Sequence, residues 1–196
     1  MPQTSSQALL DRARKGDDKA LIQMEQAGDL DDLRSLLHDT GYAGKFAVRI
    51  ILARMGDQKS LQYFACQSLT DDVDRMQLLL RDEFQGIGGA FTVKVYRNLL
   101  DSDGRFLDYV KRNREHQYSD VTVKLPSSMV LPYLTKILPN ANIPSLPFGD
   151  WPKEEKELKN RWRDWIDSHQ NEIQPMKPGT QGVEFTPSSC NASSTK

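Results

Sequence analysis

Apolar positions through the first part of the chain recur at helical spacing and in short runs. Phe46, Ile50, Ala53 and Arg54 follow the 3.6-residue period, while Val48, Ile51, Leu52 and Met55 widen the apolar surface until little of that segment is polar. Such a pattern predicts a helix sandwiched between neighbours. Leu61, Phe64, Ala65 and Leu69 then form one stripe, and Val73, Met76, Leu79 and Leu80 form another that Thr70-Asp71-Asp72 introduces. The punctuation between stripes is equally regular. Gly56 stands where a left-handed residue would end the first of these helices, and Asp57 offers a carboxylate to the open amides of the next. Gly16-Asp17 repeats that device. From Ser5 to about Glu115 the chain therefore reads as a succession of short capped helices joined by loops of a few residues, and the predicted fold class is all-α.

The chain also resembles itself. Ala13-Arg14-Lys15-Gly16-Asp17-Asp18-Lys19-Ala20-Leu21 realigns forty positions on with Ala53-Arg54-Met55-Gly56-Asp57-Gln58-Lys59-Ser60-Leu61, six of the nine residues being identical. Gly44-Lys45-Phe46-Ala47-Val48-Arg49-Ile50 meets Gly89-Ala90-Phe91-Thr92-Val93-Lys94-Val95, and Leu36-Leu37-His38-Asp39 meets Leu79-Leu80-Arg81-Asp82, at slightly longer offsets. Small loop insertions account for that drift. A helical unit that cannot bury its apolar face alone does so by stacking on a copy of itself.

The Ala53–Leu61 stretch, with its weaker copy at 13–21, resembles the helix, Gly-Asp, helix punctuation of HEAT-like repeats, and the period of about forty residues also suits armadillo-type units. The resemblance covers residues 5–115. It implies a short right-handed α-solenoid with one face that binds other proteins, and it carries over no catalytic residue. One departure stands out: the third unit has Leu100-Asp101-Ser102-Asp103 where Gly-Asp is expected, so its junction is expected to be remodelled.

The second part changes character, dividing the chain into repeats at 5–120, an appended region at 121–173 and a tail at 174–196. Val121-Thr122-Val123-Lys124-Leu125 alternates but is too short for a sheet and reads as an extended connector. Pro126-Ser127-Ser128 opens an apolar helix carrying Met129, Val130, Leu131, Leu134 and Ile137, with Pro132 about a turn inside. Four prolines, Pro139, Pro144, Pro147 and Pro152, interleaved with Ile143, Leu146, Phe148 and Trp151, predict an extended strap. Pro152 then starts a charged helix whose Leu158, Trp162, Trp165, Ile166 and His169 share one face. Docking by Trp162 and Trp165 would cap the bare end of the stack. The composition from Gln174 onward predicts a disordered tail.

Composition narrows the function classes. The 196 residues, 38% hydrophobic, suffice for one core with an appended segment and exclude two large domains. A net charge of −1 argues against a nucleic-acid or anionic-membrane binder. No apolar run is long enough to span a bilayer, and the first residues lack the pattern of a signal peptide, which makes the cytoplasm the default expectation, an exported chain with its leader removed being the alternative. Cys66 and Cys190 are too few for a disulfide framework or a four-cysteine metal site, and read as plain thiols.

No catalytic constellation emerges. His38, His116 and His169 are scattered, without zinc-ligand spacing. The groups Asp29, Asp31, Asp32 and Asp71, Asp72, Asp74 precede apolar helices, where acids complement the helix dipole, and the calcium-loop pattern is absent. Gly86-Ile87-Gly88-Gly89 lacks the strand and the Lys-Ser or Lys-Thr of a phosphate loop and reads as a tight interhelical turn. Lys94, Arg97, Arg105, Lys111, Arg112 and Arg114 are the one local basic excess, diluted by Asp101, Asp103 and Asp108. The expectation is a non-enzymatic scaffold, without catalytic residues, cofactor or metal, that binds a protein or peptide. The alternatives are a helical-repeat nucleic-acid binder using the 94–114 ridge and an accessory of the HEAT-like bilin lyase type.

Overall fold

Gly16 and Gly56 hold the key to how the helices are joined, because both adopt left-handed backbone, with φ of +84° and +91°. The amide of Gly16 bonds the Ala13 carbonyl at 2.9 Å and that of Asp17 the Arg12 carbonyl at 3.2 Å; forty residues on, Gly56 bonds Ala53 at 3.0 Å and Asp57 bonds Leu52 at 2.9 Å. Each pair satisfies carbonyls that the end of a helix leaves open, and only glycine takes this conformation without a Cβ penalty. The following aspartate starts the next helix by accepting an amide, Lys19 N–H at Asp17 and Ser60 N–H at Asp57. Burial repeats as well: Ala13 and Ala53, Ala20 and Ser60, Leu21 and Leu61, Met24 and Phe64 are all buried.

The computed structural model describes residues 6–39, 41–69, 73–104, 125–144, 152–173 and 190. The helices are α1 (Ser6–Arg14), α2 (Asp18–Ala27), α3 (Leu30–His38), α4 (Lys45–Arg54), α5 (Gln58–Gln67), α6 (Val73–Leu78), α7 (Phe84–Ile87), α8 (Gly89–Leu99), α9 (Pro126–Ile137) and α10 (Pro152–Ser168). No strand occurs among the described residues, and the fold is all-α. No described helix is long and apolar enough to cross a membrane.

Two apolar clusters organise the packing. The first is built by α1 to α4 from Leu9, Leu10, Leu21, Met24, Leu33, Leu36, Val48, Ile51 and Leu52. The second spans α4 to α10 and gathers Leu61, Phe64, Phe84, Tyr96, Leu134 and Trp162. Helix α4 serves both, since Val48, Ile51 and Leu52 face the first while Ala53 belongs to the second with Ile50 against it. That is why so little of its surface is polar. Ion pairs fasten the layers. Arg54 of α4 grips Glu25 of α2 through two bonds of 2.6 and 2.5 Å and reaches the Gly86 carbonyl at the end of α7. Arg34 of α3 grips Asp57, the cap of α5, at 2.9 and 2.8 Å.

The third junction is built differently. Asp101 takes Arg97 of α8 and Arg163 of α10, while Asp103 accepts the Ser127 amide at 3.0 Å and so caps α9 from a distance. Lys159 of α10, almost wholly buried, closes this group with Glu155 at 2.5 Å and Asp103 at 3.6 Å. The acids that interrupt the Gly-Asp pattern thus bind the appended helices. Helix α10 docks through Leu158, Trp162 and Ile166, all buried, with Arg97 bonded to Asp167 at 2.9 and 2.8 Å beside them.

Two local expectations need amendment. The stripe that starts at Val73 does not remain one regular helix: Leu79–Glu83 is π-helical before α7 resumes. Its widened turn is stabilised from α8, where Tyr96 donates its hydroxyl to the Leu80 carbonyl at 2.9 Å and Thr92 to Phe84 at 2.6 Å. The strap does not begin extended, since Pro139–Ala141 forms a 3-10 turn that ends at Asn142 in left-handed backbone. Ile143 is buried there, and Pro147, Leu146, Phe148 and Trp151 lie outside the described residues, as do Val121 to Lys124 of the connector. Pro126 occupies the first turn of α9 as the pattern predicts, and Pro132 is accommodated inside it.

Candidate interaction surface

Helix α4 carries Phe46 and Arg49 three residues apart, and α5 carries Tyr63 beside the buried Phe64. Packing α4 on α5 turns this spacing into a layered patch. Phe46, 39% exposed, meets the edge of Phe64 at 5.9 Å between ring centroids, and Tyr63 meets Phe64 edge-on at 5.2 Å. The Arg49 guanidinium lies 3.9 Å above the Tyr63 ring, and that of Arg75 lies 5.6 Å from the centre of Phe46. Aromatic rings held by arginine planes give large contact area at little entropic cost, the chemistry enriched at protein interface hot spots. Arg49 differs from Arg12, Arg34, Arg54, Arg75 and Arg97 in that it meets no carboxylate among the described residues.

The floor of the patch is charged but compensated. Glu83 is buried in the π-helical turn and bonded by Arg75 at 2.5 and 3.1 Å, while Arg75 Nε donates to Gln67 at 3.3 Å. Burial outweighs the arginine, so the Glu83 carboxyl titrates above its ordinary range.

Cys66 lies on the same helix, three residues after Tyr63, and it is not a thiol. It is bonded to Cys190, with the two Cα atoms 5.4 Å apart. The reading of both cysteines as plain thiols is therefore corrected: no described cysteine is free, and the chain at Cys190 is fixed to α5. Two cysteines separated by 124 positions carry no spacing that announces a pair, because their approach depends on how the whole chain folds. The rest of the predicted tail lies outside the described residues.

The other predicted residues fall in distinct places. Gly16, Asp17, Gly56 and Asp57 form the two like junctions. Arg12 holds the Asp17 carboxyl below the usual range; at Asp57 burial opposes ionisation, but the Ser60 amide and Arg34 prevail and its carboxyl also lies low. Trp162 is buried in the second core with no partner for its indole N–H among the described residues, while Trp165 is half-exposed and stacked on His169 at 4.4 Å. Of the basic ridge, Arg97 is committed to Asp101 and Asp167, Lys94 is exposed on α8, and Arg105, Lys111, Arg112 and Arg114 lie outside the described residues.

The remaining candidate chemistry also resolves into local structure. Asp31 pairs with Arg34 and Asp32 accepts the Ser6 hydroxyl. Asp29, Asp31 and Asp32 border an open depression of about 480 Å³. His38 is exposed at the end of α3, and His116, Asp71 and Asp72 lie outside the described residues. No cluster of three or more metal-ligating side chains occurs among the described residues. The patch of Phe46, Arg49 and Tyr63 escaped the sequence pattern because an exposed phenylalanine on a helix that is apolar nearly all round is indistinguishable from its buried neighbours. Against this geometry stand the comparisons with known proteins: no protein-family model matches the chain, and no curated protein and no solved structure matches it.

Proposed function

We propose that this chain is a short HEAT/armadillo-like stack of helical repeats that acts as a non-enzymatic scaffold, binding a protein or peptide on its α4–α5 face. The observation that carries the reading is the likeness of the two junctions at Gly16-Asp17 and Gly56-Asp57, which repeat the same left-handed turn, aspartate cap and buried positions. Stacked units expose an extended ribbon, and such ribbons serve as docking surfaces. The sharing of α4 between two cores and the Arg34–Asp57 contact support this arrangement. On the ribbon, Arg49 above Tyr63 next to the exposed Phe46 suits a segment with a carboxylate and an apolar anchor. The appended helix α10, seated by Trp162, would close the end of the stack.

Of the alternative's basic ridge, Arg97 spends its guanidinium on two carboxylates. The test is capture from native extract on the immobilised full chain, with duplex DNA binding measured at low and moderate salt alongside. A stoichiometric protein partner without a DNA shift supports the scaffold. DNA binding that weakens steeply with salt, in the absence of a protein partner, would replace it by the nucleic-acid reading.

A further inference from the structure

The Cys66–Cys190 bond joins the last described residue of the chain to the final turn of α5. Helix α5 does not depend on it. Leu61, Phe64 and Ala65 bury the inner side of the helix, and Asp57 and Arg34 hold its start. Both cysteines are partly exposed, the condition for a thiolate to approach the bond. At the other side of residues 174–189, Ile173 packs against the second core. The chain is thus anchored at Ile173 and again at Cys190, and the second anchor is the covalent one.

Gln62, one turn before Cys66 on the same helix face, directs its side-chain N–H at the Cys66 sulfur at 3.3 Å. A donor in that position favours the anionic form of Cys66 and so assists its departure when the bond is attacked.

We propose that Cys66–Cys190 is a redox-releasable tether: a dithiol reductant detaches the C-terminal end from α5 and leaves the helical body folded, with Gln62 assisting the departure of the Cys66 sulfur. In the first step one thiolate of the reductant attacks Cys190 Sγ, forming a mixed disulfide and expelling Cys66 Sγ as a thiolate that receives the Gln62 N–H bond. The second thiolate of the reductant then attacks its own sulfur in the mixed disulfide and expels Cys190. Two protons and two electrons pass from the dithiol to the pair, which ends as two thiols, and the reductant ends as a disulfide. An oxidising environment keeps Cys190 bonded to α5, and a reducing one frees it together with a thiol on α5. This inference goes beyond the scaffold reading and does not require it.

The experiment uses the full chain, purified without reductant and then treated with dithiothreitol. Alkylation followed by mass measurement is expected to label no cysteine before reduction and both afterwards. Chymotrypsin cleavage after Phe185 should accelerate at least about fivefold on reduction, because a segment held at both ends enters a protease site less readily. Helical circular dichroism should not change. Cys190→Ser, which removes the tether without touching α5, should be cleaved at the reduced rate from the start. Gln62→Leu should slow reduction about threefold or more at equal helicity. The proposal is overturned by free thiols or disulfide-linked dimers in the oxidised protein, by reduction that requires denaturant, by equal cleavage rates in the two states, or by loss of helicity on reduction and in Cys190→Ser. An unchanged reduction rate in Gln62→Leu would remove the role of Gln62.

Discussion

Replacing Asp57 by alanine tests whether the two like junctions are energetically what their geometry makes them. Asp57 accepts the Ser60 amide at 2.8 Å and two bonds from Arg34, and its side chain is only 4% exposed. Loss of a helix cap costs about 1 kcal/mol. The contact with Arg34 adds about 0.5–1 kcal/mol, a discounted figure because the arginine is 45% exposed and regains water when released. Asp57→Ala should therefore lose about 2 kcal/mol. Asp17→Ala should lose less than Asp57→Ala, since Asp17 caps with one amide and its pair with Arg12 is a third or more exposed on both sides. Asp57→Asn keeps an acceptor for the Ser60 amide and should fall between alanine and wild type. The pH dependence has a definite sign. The folded-state pKa of Asp57 is lowered, so its contribution is fully present above the unfolded value near 4 and disappears as pH falls through the lower folded value. Urea unfolding followed by circular dichroism at pH 7 and in a series below pH 4 reads all of this. The gap between wild type and Asp57→Ala should close in acid. A loss below about 0.5 kcal/mol for Asp57→Ala at pH 7, or a larger loss for Asp17→Ala, would refute the reasoning.

Trp162→Ala removes the largest fully buried side chain among the described residues, and about 3 kcal/mol or more should vanish from the unfolding free energy; a change near zero would mean that α10 does not hold the second core. Gly56→Ala forces a Cβ into left-handed backbone at φ +91° and should cost about 1–2 kcal/mol by the same unfolding assay. Arg75→Met leaves Glu83 buried without its cation and should cost about 3 kcal/mol at pH 7. Because the Glu83 pKa is already raised by burial, that deficit should shrink as pH falls and the carboxyl takes up its proton, whereas Glu83→Gln should cost less and show no such recovery.

The all-α fold and its junctions were legible because they rest on local rules. Gly56 and Asp57 declare a left-handed stop and a capped start within two residues, and the periodic stripe of α5 names Leu61, Phe64 and Ala65 as its buried side before any tertiary contact is known. The docking face of α10 was legible for the same reason, with Leu158, Trp162 and Ile166 buried at helical spacing. What escaped the pattern depends on distant contacts. The π-helical turn at Leu79–Glu83 requires hydroxyls from Tyr96 and Thr92, a dozen or so residues further on, to accept its geometry. Asp103 caps α9 by accepting the Ser127 amide, and Lys159 arrives from α10 to neutralise it. The patch at Phe46, Arg49 and Tyr63 exists because α4 lies against α5, and the bond between Cys66 and Cys190 joins positions that sequence separation leaves unrelated.

The scaffold proposal requires the α4–α5 face to bind an acidic, apolar segment of a protein. The most direct measurement is the Kd of the captured partner, by calorimetric titration, for wild type, for Phe46→Glu with Arg49→Glu, and for Lys156→Glu on α10 as a distant control of equal charge sign. The double variant should weaken binding by about 30-fold or more, the equivalent of about 2 kcal/mol from an aromatic and arginine hot spot. The control should stay within about twofold of wild type. Equal affinity for wild type and the double variant, with both folded, would contradict the claim.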